Sequence, residues 1–150
     1  MRLTLHTDYA LRTLIYLASV PDRFASAREI ARAHGISENH LVKIVHKLGQ
    51  CGFVETTRGR NGGIRLARSP ADIRIGEVVR QTEPTTVLGP CQAEEAKPPA
   101  QACCLLPDCG LRGVFTEAND AFFGVLDRYT LADVMKKSIM RTLFPPGVTV

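Results

Sequence analysis

Apolar positions recur at helical spacing through the first third of the chain. Tyr9, Ala10, Thr13, Leu14 and Leu17 share one face and predict a helix over 7–17. Thr7 is placed to cap it, Asp8 suits the dipole of the first turn, and Pro21 follows. Ser26-Ala-Arg-Glu29 is a capping-box pattern, in which the Ser and Glu side chains each satisfy an orphan backbone N–H. It opens a helix over 27–34 with Ile30 and Ala31 inward, stopped by Gly35. Ser37 caps the next helix, 38–51, which buries Leu41, Ile44, Val45 and Leu48 and ends at Gly52. A short helix, a tight turn containing Gly and a longer helix make a helix-turn-helix pattern, which any antiparallel helical pair can also produce.

The period then changes. Phe53–Thr57 alternates and is rich in β-formers, Ile64–Leu66 alternates again, and Arg58-Gly-Arg-Asn-Gly-Gly63 lies between them. This predicts a β-hairpin with a basic tip, and helix-turn-helix plus hairpin is a winged helix. A further helix is expected over 75–83, ended by Pro84. Residues 84–109 carry five prolines and four cysteines with few large apolar side chains. Such a stretch cannot build its own core, and a bound metal centre would order it.

Leu111, Phe115, Ala118, Phe122, Val125 and Tyr129 keep heptad spacing and predict a long helix over 111–129. Its seam reads as a dimer interface, because winged helices generally bind DNA as dimers; packing on its own domain is the alternative. Leu131, Val134 and Met135 suggest a short helix within 130–143. The expected fold is mainly α with a small β-hairpin. Its units are a winged helix-turn-helix domain at 1–83, a cysteine-bearing loop at 84–109, dimerisation and C-terminal helices at 110–143, and a tail at 144–150.

Composition adds limits. The chain has 150 residues, 45% hydrophobic and 23% charged, within the range of globular proteins. Its longest mostly apolar stretch, Leu14–Val20, is far short of the ~20 residues of a membrane span. The N-terminus does not read as a signal peptide, so a soluble cytoplasmic protein is expected. The net charge of +4 is unevenly placed: residues 1–80 hold 13 Lys/Arg against 7 Asp/Glu, and residues 81–150 hold 6 against 8. The basic half is either a solvated face or the footprint of a polyanion.

If the polyanion is double-stranded DNA, Ser37, Asn39, His40 and Lys43 head the recognition helix, whose first residues meet base edges. Asn can pair with adenine in two places. Lys47, Arg58 and Arg60 suit phosphates or the minor groove, and Gly62 and Gly63 let the wing backbone approach closely. His34 and His46 are expected to face solvent, His6 to lie at the surface, and Cys51 to be a small core residue.

Cys91, Cys103, Cys104 and Cys109 form a cluster suited to metal or redox sensing rather than disulfides in an unsecreted protein. No Cys-x-x-Cys pair is present, which argues against zinc. Adjacent cysteines rarely ligate one metal together, so at most three of the four are expected ligands. A three-thiolate site needs a further donor, which an iron–sulfur cluster tolerates; an inert cluster of cysteines is the alternative. No substrate-sized set of catalytic groups appears, so an enzyme is not expected.

Leu3-Thr-Leu-His-Thr-Asp-Tyr-Ala-Leu-Arg12, the wing Thr57–Leu66 and the late cysteines together resemble the IscR/NsrR family of bacterial iron–sulfur winged-helix regulators. The resemblance covers about residues 1–135. Asn39–Ile44, Arg74–Val79 and Tyr129–Asp133 place it nearest the branch of nitric-oxide-sensing repressors. It implies a homodimer, with nitric oxide as signal, binding one two-iron or four-iron cluster per subunit on Cys91, Cys103 and Cys109. Cys103 is preferred to Cys104 because the resemblance keeps five residues between the last two ligands, with a Pro two before the last, as Pro107 is here. The fourth ligand it implies is the partner subunit's Asp8. The IscR type instead uses a His three residues after the last Cys; Arg112 stands there, although an IscR-type or a cluster-free thiol or zinc regulator remains the alternative. The gap from Cys91 to Cys103, with Pro98-Pro99, is longer than the family pattern.

Overall fold

In the computed structural model, which describes residues 2–59, 62–89, 92, 108–136, 138 and 143, the first helix opens earlier than its pattern suggests. Helix α1 spans Leu5–Ala18, and its N-cap is Thr4, whose side chain accepts from the Thr7 amide at 3.3 Å. Thr7 cannot serve as the cap. It is fully buried within the first turn of the helix, and its hydroxyl accepts from Thr82 at 2.9 Å. Ala10, Leu14, Tyr16 and Leu17 are also buried, so α1 is the central rod of the core.

Helices α2 (Ala27–His34) and α3 (Glu38–Gln50) follow the sequence pattern closely. Both halves of the Ser26/Glu29 capping box are made, Gly35 takes the left-handed conformation at φ 63°, and Ser37 caps α3. Leu41, Ile44, Val45 and Leu48 are buried as expected. Cys51 is the C-cap, half-buried against the core, with its thiol 3.7 Å from the Gln81 amide oxygen. The buried Tyr16 hydroxyl donates to Glu29 at 2.5 Å, and Arg23 pairs with the same carboxylate. Burial, with Glu29 beside it, pushes the Tyr16 phenol up to about 12, so it remains a donor at neutral pH.

His34 departs from expectation. It is half-buried, its ring meets Tyr16 edge-on at 5.9 Å between centroids, and its Nε2 has no partner among the described residues. A position near the end of an amphipathic helix looks exposed in sequence; here the short helix lays its last turn on α1. Burial, then the Arg12 charge, lowers the His34 pKa below its ordinary value.

Strands β1 (Val54–Thr57) and β2 (Gly63–Leu66) pair antiparallel, from Val54 opposite Leu66 to Thr57 opposite Gly63. Phe53 precedes the strand rather than opening it: it is fully buried, with the Arg68 guanidinium 4.7 Å from its ring centroid. Ala25 adds a third backbone segment, exchanging two 2.9 Å hydrogen bonds with Ile64. This ties the wing to the loop between α1 and α2.

A 3₁₀ turn at Pro70–Asp72 leads into α4 (Ile75–Thr82). Helix α5 spans Gly110–Leu126, three residues short of the seam predicted to reach Tyr129. The helix stops because its end is captured. Arg80 grips Asp127 with two hydrogen bonds of 2.8 and 2.6 Å and lies 4.3 Å from the Phe123 ring centroid. Arg74 donates to the Asp127 carbonyl at 2.5 Å, and the Ile75 amide donates to that of Tyr129 at 3.0 Å. Gly76 makes room, since a Cβ there would lie 2.0 Å from Asp127 Oδ1.

The short helix α6 (Leu131–Val134) opens on a Thr130/Asp133 capping box and packs against α1 and the 3₁₀ turn. Leu131 is fully buried, worth about 1.5–3 kcal/mol, and its amide donates to Ile73 at 2.8 Å. The segment after α5 thus returns to the core of the helix-turn-helix unit. The fold is mainly α with one small hairpin, the winged-helix arrangement expected.

Candidate nucleic-acid interface and metal centre

Burying Leu41, Ile44, Val45 and Leu48 turns the opposite side of α3 outward. Ser37, Asn39, His40 and Lys43 are all exposed there. The Ser37 hydroxyl accepts from the His40 amide at 3.3 Å, fixing the head of the helix. Among the described residues, the side chains of Asn39, Lys43 and Arg58 have neither a hydrogen-bond nor an ion-pair partner, so their polar groups are free for a ligand. Val42 is 54% exposed on the same surface. Sequence reading passed over it; the signal was an apolar residue lying off the inward stripe.

Lys47, one turn beyond Lys43 on α3, is half-buried. It lines a 360 Å³ cavity with His6, Gln81 and Glu83, beside the start of α1. Glu83 accepts from the Thr4 amide at 2.8 Å and from its hydroxyl at 3.1 Å. Burial opposes the Glu83 charge, but the hydrogen bonds from Thr7 and Thr4 outweigh it and lower its pKa.

Arg58 is exposed where β1 leaves for the wing turn, and Arg60 lies outside the described residues. Gly62 and Gly63 are half-buried. Gly63 has a reason within the chain itself: its φ is +156°, and a Cβ would lie 2.8 Å from the Ala25 carbonyl oxygen and 3.0 Å from Phe24 Cβ. At Gly62 a Cβ would fall 2.1 Å from the Thr57 carbonyl oxygen, so the turn itself demands glycine.

Of the expected metal ligands, Cys91 and Cys103 lie outside the described residues, as does Cys104. Cys109 carries a free, half-buried thiol at the N-cap of α5, beside an open groove of 820 Å³ that runs past Arg112 and Thr116. A cysteine sulfur is the soft donor that iron–sulfur centres take. Asp8 lies in the first turn of α1, its half-exposed carboxylate 2.9 Å from Arg12. It keeps lone pairs open to an external cation. Both residues therefore fit an iron centre. Among the described residues, no three metal-ligating side chains come together.

Helix α5 has two unlike sides. Phe123 is buried against α4, while Leu111, Val114 and Val125 are 56%, 58% and 45% exposed. Phe115 and Phe122 are half-buried, and Ala118 is exposed.

A winged helix-turn-helix that bares a polar recognition helix is the architecture of a DNA-binding protein. Residues 3–137 match the Rrf2 family model, described as an iron-dependent transcriptional regulator, and the chain belongs to that family. It is 47% identical over 146 residues to the HTH-type transcriptional regulator NsrR of Bacillus subtilis, covering 95% of this chain and 97% of that one. It is 48% identical over 145 residues to NsrR of Geobacillus kaustophilus, covering 95% and 96%. Among solved structures, CymR, the global cysteine regulator of B. subtilis, superposes with a TM-score of 0.70 at 28% identity, over 90% of this chain and 96% of that one. IscR of T. potens also gives 0.70, at 26% identity over 92% and 88%. The chain is thus a transcriptional regulator of the Rrf2/NsrR type. No helix among the described residues is long and apolar enough to cross a membrane.

Proposed function

We propose that the chain is a homodimeric repressor of the NsrR type, working in the cytoplasm, which holds an iron–sulfur cluster in each subunit and releases its operator in response to nitric oxide. The observation that carries the DNA-reading half is the outer face of α3, polar and without side-chain partners at Asn39 and Lys43 among the described residues. Asn39 reads adenine, and Val42 meets a thymine methyl. Ser37, His40 and Lys43 complete the contacts in the major groove, while Lys47, Arg58 and Arg60 neutralise phosphates. Gly62 and Gly63 keep the wing narrow.

The exposed seam of α5 at Leu111, Ala118 and Val125 pairs with the same seam of a second copy. Cys91, Cys103 and Cys109, with the partner subunit's Asp8, hold the cluster. When bound, it supplies iron open to attack by nitric oxide, whether it has two irons or four. The chain's own part is transmission. Cys109 heads α5, and the far end of that helix is tied through Asp127 to Arg80 of α4. A shift at the head of α5 therefore reaches the DNA-reading unit through α4. Release requires the two states to differ in DNA affinity by about 1–3 kcal/mol or more.

Iron and sulfide analysis of anaerobically prepared variants tests this reading. Cys103→Ala should lose both elements, while Cys104→Ala should keep them; the reverse overturns the ligand choice. Wild-type protein with zinc and no sulfide overturns the cluster.

A further inference from the structure

Helix α2 carries charge that neither the core nor the recognition face uses. Arg28 and Arg32 lie one turn apart, both exposed, on the side opposite the buried Ile30 and Ala31. With Gly35, Ile36 and Glu38 they frame a groove of 370 Å³ at the joint between α2 and α3. Like charges four residues apart on a helix repel. Arg32 has no side-chain partner among the described residues. Arg28 has one, Glu38, the first residue of α3, at 3.5 Å. That pair is 70% and 51% exposed, so water screens it and it holds the helices together only weakly.

The placement is informative. In a helix-turn-helix the second helix enters the major groove while the first crosses the DNA backbone. Arginines on the outer side of the first helix, at its joint with the second, then stand beside the strand that borders the groove. A guanidinium presents a planar fork that matches phosphate oxygens in two places. Glu38 sits at the same joint and removes part of the Arg28 charge while no DNA is present.

We propose that Arg28 and Arg32 are a phosphate clamp on α2, gripping the backbone beside the groove that α3 reads, and that Glu38 restrains Arg28 until DNA displaces it. The proposal rests on the DNA-binding reading and adds a second anchoring surface to α3 and the wing. It also assigns Glu38 a role in suppressing non-specific binding.

Anisotropy titration of full-length protein with a fluorescent random-sequence duplex of about 30 bp, at several salt concentrations between about 50 and 200 mM, tests it. Arg28→Ala and Arg32→Ala should each lower the slope of log K against log salt by about 0.9 per subunit, so about 1.8 for a dimer with both subunits on the duplex, and the double variant by about twice that. Arg28→Lys and Arg32→Lys should keep most of the slope, since charge rather than shape sets it. Glu38→Gln should tighten binding to random DNA without flattening the slope. Wild-type slopes in the alanine variants overturn the clamp, as do lysine variants that lose as much as the alanine variants. A wild-type protein that binds no duplex at any salt concentration removes the DNA-binding reading as well, an outcome distinct from a clamp that fails alone.

Discussion

Gly63 lies where β2 passes Ala25, with its Cα hydrogen directed at the Ala25 carbonyl and a φ that L side chains rarely adopt. Gly63→Ala should therefore cost about 1–3 kcal/mol of stability, read as a lower denaturant midpoint; a midpoint equal to wild type contradicts the close approach. His34 carries a second effect at this scale. Its pKa is lowered on folding from 6.5 by burial and then by Arg12, so below that value the unfolded chain binds the extra proton. Stability is full above the ordinary value and falls as pH drops through it toward the lower folded value. In chemical denaturation from about pH 7 to 5, His34→Gln should flatten that decline; an unchanged pH profile would remove His34 as its source.

The elements show which features a sequence can reveal. Ser26, Gly35 and Ser37 act on backbone groups within a few residues of themselves, so the limits of α2 and the start of α3 were readable directly. Long-range contacts were not. The buried Thr7 hydroxyl accepts from Thr82, 75 positions away, and α5 ends early because Arg80, 47 positions before Asp127, captures that carboxylate. No local pattern contains either partner. The polar face of α3 was legible because an inward stripe defines its opposite, whereas Val42 was hidden by its apolar chemistry. Cys109 and Asp8 were visible by residue type and family pattern rather than by packing. The α5 seam carries its own prediction. Leu111→Glu with Val125→Glu should convert a dimer to a monomer in sedimentation velocity without loss of helix content, because both sites are exposed in the single chain. A dimer that survives both charges would move the interface elsewhere.

Across the whole molecule, the modest net charge of +4 divides by position. The positive excess lies in residues 1–80, which hold α1 to α3, the wing and nearly all of α4; the acidic excess follows. Asp127 and Asp133, from that acidic part, help to bind it back to the reader: one grips Arg80, the other caps the short helix that seats Leu131 in the core. The Arg80 hydrogen bonds lower the Asp127 pKa, so this tie stays charged at neutral pH. Reader and α5 are therefore joined mechanically, as a sensor placed at the head of α5 requires. The most direct test is to titrate nitric oxide into anaerobic protein bound to its selected operator, following visible absorbance and DNA anisotropy together. The expected result is a coloured protein whose absorbance changes as DNA is released, over the same range of nitric oxide. A colourless protein, or a bleached one that holds its operator as tightly as before, would contradict it.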